Sequence, residues 1–69
     1  MYFILKRHAR TRMLQRGVSQ DEVERAIRFG GRTIQSPDRQ VATYGHLRVV
    51  FRQTGEVVEI ITVTLRWRI

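Results

Sequence analysis

The segment LRVVFRQTGEVVEIITVTL, residues 47–65, decides the fold of this chain. Its two halves are rich in β-branched residues, and a short polar gap containing Gly55 separates them. Two such runs around a glycine predict a β-hairpin, with a two-residue turn at Thr54-Gly55. Strand alternation then places six side chains on one apolar face: Leu47, Val49, Phe51, Val58, Ile60 and Thr62.

The opposite face of this predicted hairpin carries the positive charge. Alternation assigns His46, Arg48 and Arg52 to it, together with Glu59, Val63 and Leu65. Glu59 is interpreted as the partner of Arg48 or Arg52 in a cross-strand ion pair, which is favoured over a catalytic base. The hairpin therefore has an apolar inner face and a basic outer face.

Two helices are predicted before the hairpin. Residues 7–16 have a narrow apolar stripe and end at Gly17, a usual C-terminal glycine position. The second helix follows Ser19, which with Glu22 matches a capping box, and Gly30-Gly31 end it. Two i, i+4 ion pairs are expected on its surface, Asp21–Arg25 and Glu24–Arg28.

The remaining segments complete an α+β prediction. Residues 33–35 and 40–44 read as further strands, and Pro37 makes the first of them an edge candidate. Residues 2–5 read either as a first strand or as a staple under the first helix. We expect one domain, residues 1–69, with two N-terminal helices on one face of a three- to four-stranded antiparallel sheet.

Composition narrows the classes of partner. The 69 residues carry a formal net charge of +7, and 12 of the 13 basic residues are arginines. Arginine binds phosphate oxygens in pairs and stacks on bases, which favours a nucleic-acid partner. Two other readings stay open: arginine usage set by the genome, and a basic face for an acidic protein. No cysteine is available for disulfides, and no apolar run predicts a membrane span, so we expect a cytoplasmic protein.

The groups able to perform chemistry are few. No nucleophilic cysteine, phosphate-binding glycine loop or metal-ligand spacing is present, so neither a metal nor a cofactor is predicted. What remains suits a metal-independent ribonuclease, with histidines for proton transfer and arginines for phosphate charge. The predicted catalytic residues are His8, Arg12, Arg48 and His46, and the predicted nucleic-acid-binding residues are Arg16, Arg52, Arg10 and Arg66.

Each of these residues also has a simpler interpretation. His8 fits a helix cap or rim position, His46 a strand-end surface residue, and Tyr44 an ordinary core position. Only their combination favours catalysis. The hypothesis requires His8, Arg12 and Arg48 to converge in one cleft on the open side of the sheet.

A resemblance strengthens this hypothesis. HARTRMLQRGVS, residues 8–19, resembles the opening H-A-x-x-R-M-x-x-R-G-[IV]-[ST] of a small bacterial and archaeal domain family. YGHLRVVF and EIITV, residues 44–51 and 59–63, look like its closing strands. That family is grouped with RelE-like and barnase-like RNase toxins. The resemblance implies the α+β fold of RelE-like and barnase-like toxins and an endoribonuclease activity, with His8, Arg12 and Arg48 as the matched residues.

The expected function is therefore a toxin-like, metal-independent endoribonuclease of a toxin–antitoxin pair. Its expected partners are RNA and an acidic antitoxin protein. Because the predicted core is thin, we expect the domain either to bind the acidic partner or to self-associate into a homo-oligomer. Two alternatives stay open. One is a non-catalytic nucleic-acid-binding module, and the other is a small interaction protein that docks an acidic partner.

Overall fold

The hairpin at residues 47–65 lies at the centre of a computed structural model that describes residues 1–66; the predicted domain's last residues, 67–69, lie outside it. Seven elements follow one another along the chain. They are β1 (Tyr2–Leu5), α1 (Arg7–Arg16), α2 (Gln20–Phe29), β2 (Gly31–Ser36), β3 (Arg39–Tyr44), β4 (Leu47–Thr54) and β5 (Val57–Leu65). The α+β class and the two N-terminal helices are confirmed.

The sheet has five strands in the order β1-β5-β4-β3-β2, and it is mixed. Four strands, β2 to β5, are antiparallel as predicted, but the predicted count of three or four is one strand short because β1 joins the sheet parallel to β5, pairing Tyr2 with Val57 and Leu5 with Ile60. Of the two interpretations of residues 2–5, the strand is confirmed, but four residues are too few for their pattern to decide this, and the pairing joins segments far apart in the chain. The prediction that β2 is an edge strand is confirmed.

Two glycines set the hairpin turns. Gly45 and Gly55 have φ of 62° and 60°, and each is the first residue of a two-residue loop. A positive φ at this position followed by an ordinary residue is the pattern of a type II′ turn. The second turn is therefore Gly55-Glu56, and the Thr54-Gly55 prediction is one residue out. Thr54 pairs with Val57, which puts Glu59 opposite Arg52.

A bulge in β5 changes which side chains face inward. Ile60 pairs with Phe51 and Thr62 pairs with Val50, so Ile61 is an extra residue. Beyond the bulge the alternation is shifted. Val63 is consequently buried in the core and Leu65 packs against it, whereas both were predicted on the outer face. Thr62, predicted inward, pairs with the outward-facing Val50.

Both helices cover one face of the sheet, which we call the inner face. Ala9 and Met13 from α1, and Val23, Ala26 and Ile27 from α2, share one buried cluster with Phe51 and Val49. The helix ends follow the sequence signals. Gly17 closes α1 with a φ of 66°. Ser19 and Glu22 form the predicted capping box.

The predicted ion pairs on α2 do not form within the described residues. Glu24 instead accepts a hydrogen bond from Gln20 Nε2 at 3.2 Å. Arg28 lies over the Phe3 ring, 5.8 Å from its centroid, so it ties α2 to β1. Exposed i, i+4 pairs contribute only a few tenths of a kcal/mol, and a ring contact of this kind contributes as much or more. No helix within residues 1–66 is long and apolar enough to span a membrane.

An ion-pair network crosses the other face of the sheet, which we call the outer face. Arg52 Nη2 donates to Glu59 Oε2 at 3.2 Å, and Lys6 Nζ lies 3.4 Å from the same oxygen. Arg52 also pairs with Asp38 at 3.6 Å. The predicted Glu59 ion pair is therefore confirmed, with Arg52 as the strand partner. The Arg52 hydrogen bond, with the charges of Lys6 and Arg52, lowers the pKa of Glu59.

Gly30→Ala tests how closely α2 approaches β3. A Cβ at Gly30 would lie 2.5 Å from both the Ala26 and Thr43 carbonyl oxygens, and neither backbone atom can move aside freely. We expect a loss of about 1–3 kcal/mol in the free energy of unfolding, as for overpacked core sites. Gly31→Ala is the matched control, because its Cβ would meet nothing within 4 Å. Equal unfolding curves for the two variants would contradict this packing.

The Glu59 network predicts a pH dependence with a definite sign. Because the pKa of Glu59 is lowered in the folded state, the network contributes its full stabilisation of the fold above the unfolded pKa of about 4.3. This stabilisation is lost as the pH falls through the folded pKa of Glu59. Glu59→Gln should therefore lower the melting temperature at pH 7. The difference from wild type should shrink at a pH below the folded pKa of Glu59, where the wild-type carboxylate is protonated too.

Glu56→Gln, in the adjacent exposed turn, is the control and should change little at either pH. A melting-temperature difference for Glu59→Gln that is the same at both pH values would show that charge is not the cause.

Candidate nucleic-acid interface

The solvent-facing side of α1 carries the densest positive charge among the described residues. Ala9 and Met13 take the buried positions of this ten-residue helix. The rest of its surface holds one histidine and four arginines, and the helix contains no acidic residue. We call this set the α1 basic surface: Arg7, His8, Arg10, Arg12 and Arg16.

None of the four arginines on this surface has a carboxylate partner within residues 1–66. Arg7, Arg10 and Arg16 are exposed and belong to none of the ion pairs within residues 1–66, all of which lie on the outer-face network. Arg16 in the last turn is favoured by the helix dipole, but Arg7 in the first turn is not. Like charges at this density repel one another, so an anionic ligand would relieve the repulsion.

Two of the predicted catalytic residues, His8 and Arg12, are in contact. They lie four residues apart on α1, and Arg12 Nε donates to His8 Nε2 at a long 3.5 Å. An imidazole nitrogen can accept a hydrogen bond from a guanidinium in this position. The pair offers a proton acceptor beside a planar cation.

Arg48 lies on the other side of the sheet from this pair. It sits between Leu47 and Val49, which both face the helices, so its exposed side chain projects from the outer face. On either side of it stand Thr43 and Thr64, its cross-strand neighbours. The hypothesis that His8, Arg12 and Arg48 converge in one cleft is therefore wrong. Sequence distance and a shared motif did not reveal which face each residue takes.

The other predicted nucleic-acid-binding residues are dispersed. Arg10 and Arg16 belong to the α1 basic surface. Arg52 is held by Glu59 and Asp38 on the outer face. Arg66 is exposed, and its backbone N–H donates to the His46 carbonyl oxygen, so it lies beside the β3–β4 turn.

An apolar hollow adjoins the α1 basic surface. It has a volume of about 340 Å³, and Leu5, Arg10, Met13, Leu14, Val18 and Gln20 line it. Leu14 is 84% exposed although it stands in a helix dominated by arginine. A single exposed leucine is ordinary on a protein surface, but one beside a hollow and several cations suits an amphipathic partner.

A second hollow lies at the β3–β4 turn, and sequence reasoning did not find it. Its volume is about 250 Å³, and its lining combines helix and turn residues: Glu22, Arg25, Tyr44, Gly45, His46 and Leu47. His46 was predicted as catalytic, but Tyr44 was also read as core and Arg25 was assigned to an ion pair. The exposed aromatic next to a Gly-His turn was the available signal.

Nothing in the described residues gathers three or more histidine, cysteine or acidic side chains for a metal ion. Neither the curated proteins nor the solved structures searched contain a match to this chain. A family model, described as a domain of unknown function, DUF4258, matches residues 5–65. These residues run from the end of β1 to the end of β5 and include both helices and both hollows. The chain therefore belongs to the DUF4258 family, a small uncharacterised domain family.

Proposed function

We propose that this domain binds RNA through phosphate contacts on the α1 basic surface. The observation that carries the proposal is the absence of any acidic residue from a helix with four arginines, three of them exposed and none with a carboxylate partner within residues 1–66. A helix of this kind gains little stability from its own charges. It gains much from a polyanion that neutralises them.

The physics of such binding is the release of counterions. Each phosphate neutralised by an arginine frees condensed cations, so affinity falls steeply as salt rises. The planar guanidinium adds paired hydrogen bonds to phosphate oxygens, which a lysine does not supply. These contacts position the nucleic acid and read no sequence.

Salt-dependent binding of a short single-stranded RNA tests the proposal by fluorescence anisotropy. Arg7→Gln and Arg16→Gln should each weaken binding and reduce the slope of log affinity against log salt by about 0.7, the value for one lost single-strand phosphate contact. The matched control is Arg39→Gln. Arg39 is an exposed arginine on β3, and α1 packs against β5 instead.

Arg39→Gln should leave the slope unchanged. Equal slopes for all three variants would mean that binding follows net charge alone, and no RNA binding by the wild type at low salt would end the proposal.

A second candidate function, metal-independent endoribonuclease activity, is favoured by the contact between Arg12 and His8. When Arg12 turns to a phosphate oxygen, His8 Nε2 is released and accepts the proton of the adjacent 2′-hydroxyl. The 2′-oxygen then bonds to phosphorus and the P–O5′ bond breaks. The 5′-oxygen takes a proton from water, leaving a 2′,3′-cyclic phosphate. Arg48 is absent from this scheme because it lies on the outer face.

The proposed cleavage has a clear signature. RNA incubated with the protein and EDTA should yield 2′,3′-cyclic phosphate ends, and His8→Gln should reduce the rate by about 10²–10⁴-fold with little change in RNA affinity. Arg39→Gln, on β3, keeps the α1 basic surface intact; it is the control and should retain the rate. RNA that is bound but stays whole, with ribosomes present or absent, would leave the non-catalytic binding module as the function.

A toxin role and an acidic antitoxin complete this proposal. The net charge of +7 supports them, together with the sequence resemblance to a domain family that is grouped with RelE-like and barnase-like toxins. The hollow beside Leu14 supplies an apolar anchor point next to Arg10, so an acidic segment with one apolar side chain would cover the α1 basic surface and exclude RNA. Such an antitoxin would inhibit by competition. Cytoplasmic location and self-association stay predictions.

A further inference from the structure

The hollow at the β3–β4 turn has a lining unlike that of the α1 basic surface. Tyr44 is 46% exposed and contributes an aromatic ring. Arg25 reaches it from α2, and His46 from the turn itself. Gly45, with its φ of 62°, makes the tight turn that sets Tyr44 and His46 close together.

The size and charge of this hollow decide what it suits. About 250 Å³ is below the roughly 300 Å³ at which pockets for drug-sized molecules begin, so it suits one flat ring system. Glu22 stands in its wall and would repel a phosphate placed inside. One Glu22 oxygen, Oε1, accepts from Ser19 N–H and Oγ in the capping box. The other can accept from the amino group of a base.

Two arginines lie beside the hollow, where the phosphate of a bound nucleotide can contact them. Arg25 is exposed and forms no ion pair within residues 1–66, since its predicted partner Asp21 does not reach it. Arg66 lies against the turn through its hydrogen bond to the His46 carbonyl. A neutral base in the hollow, with its phosphate toward Arg25 or Arg66, would place its amino group near Glu22 and its negative charge near a cation.

We propose that the hollow formed by Tyr44, His46, Arg25 and Glu22 binds one unpaired nucleotide of an RNA chain, with the base stacked on Tyr44. The inference rests on the proposed RNA-binding function and gives it a substrate class, single-stranded RNA. Duplex RNA cannot offer an unstacked base, so it would use the α1 basic surface alone.

Paired affinity measurements with a single-stranded oligoribonucleotide and a duplex of the same length test this site. Tyr44→Leu should reduce affinity for the single strand roughly 5- to 150-fold, the range for loss of one base–aromatic stack, and should leave duplex affinity unchanged. Tyr44→Phe keeps the ring and should restore single-strand binding. Circular dichroism and melting curves should confirm that each variant is folded.

Phe29→Leu is the matched control. Phe29 is a 72% exposed aromatic on the same helix as Arg25 and is absent from the hollow's lining, so its loss should not alter single-strand affinity. Wild-type affinity in folded Tyr44→Leu, or an equal loss for single strand and duplex, would overturn the nucleotide site while leaving RNA binding on α1 intact. No binding of either RNA by the wild type would instead reject the proposed function, and this inference with it.

Discussion

The pairing of β4 with β5 is the interaction on which the rest of the structure depends. It supplies Phe51, Val49, Val58, Ile60 and Val63, the side chains against which both helices pack. The bulge at Ile61 reverses which side chains of β5 face the helices. Val63 and Leu65, beyond the bulge, therefore reach the core. β1 then extends this sheet on the free edge of β5, and Lys6 and Arg52 meet at Glu59 on the outer face.

Local signals predicted the parts of the fold that short stretches of chain determine. The capping box at Ser19, the stop at Gly17 and the inner face of β4 all follow from nearest-neighbour chemistry, and all are confirmed. The strand β1 was one of two open interpretations of residues 2–5, but its parallel pairing with β5 and the bulge at Ile61 were not predicted. Both depend on partners far along the chain. The pattern of a β-branched run such as residues 57–64 is compatible with a regular strand and with a bulged strand.

The candidate site shows the same division. His8 and Arg12 were predicted to act together because they are four apart on a helix, and they are in contact. Arg48 was joined to them through a shared motif, which carries no information on the sheet face that a residue occupies. The hollow at Tyr44 was missed because it combines the start of α2 with a turn about twenty residues later, a contact that only tertiary structure creates.

Charge placement unites these features into one account of function. The six acidic residues all lie outside α1: Asp21, Glu22 and Glu24 in α2, Asp38 and Glu59 in the outer-face network, and Glu56 in the turn beside Gly55. None neutralises α1. The fold therefore separates an outer face whose charges form ion pairs from a basic helix that has no carboxylate partner within residues 1–66. The central claim is that RNA binds to this helix.

Backbone amide chemical shifts of isotopically labelled protein, followed during titration with a short single-stranded RNA at low salt, test that claim most directly. The account predicts that the largest changes fall on residues 7–16 and that the outer face around Arg48 and Arg52 changes little. Changes concentrated on Arg48, Thr43 and Thr64, with α1 unaffected, would contradict it and place the interface on the open face of the sheet.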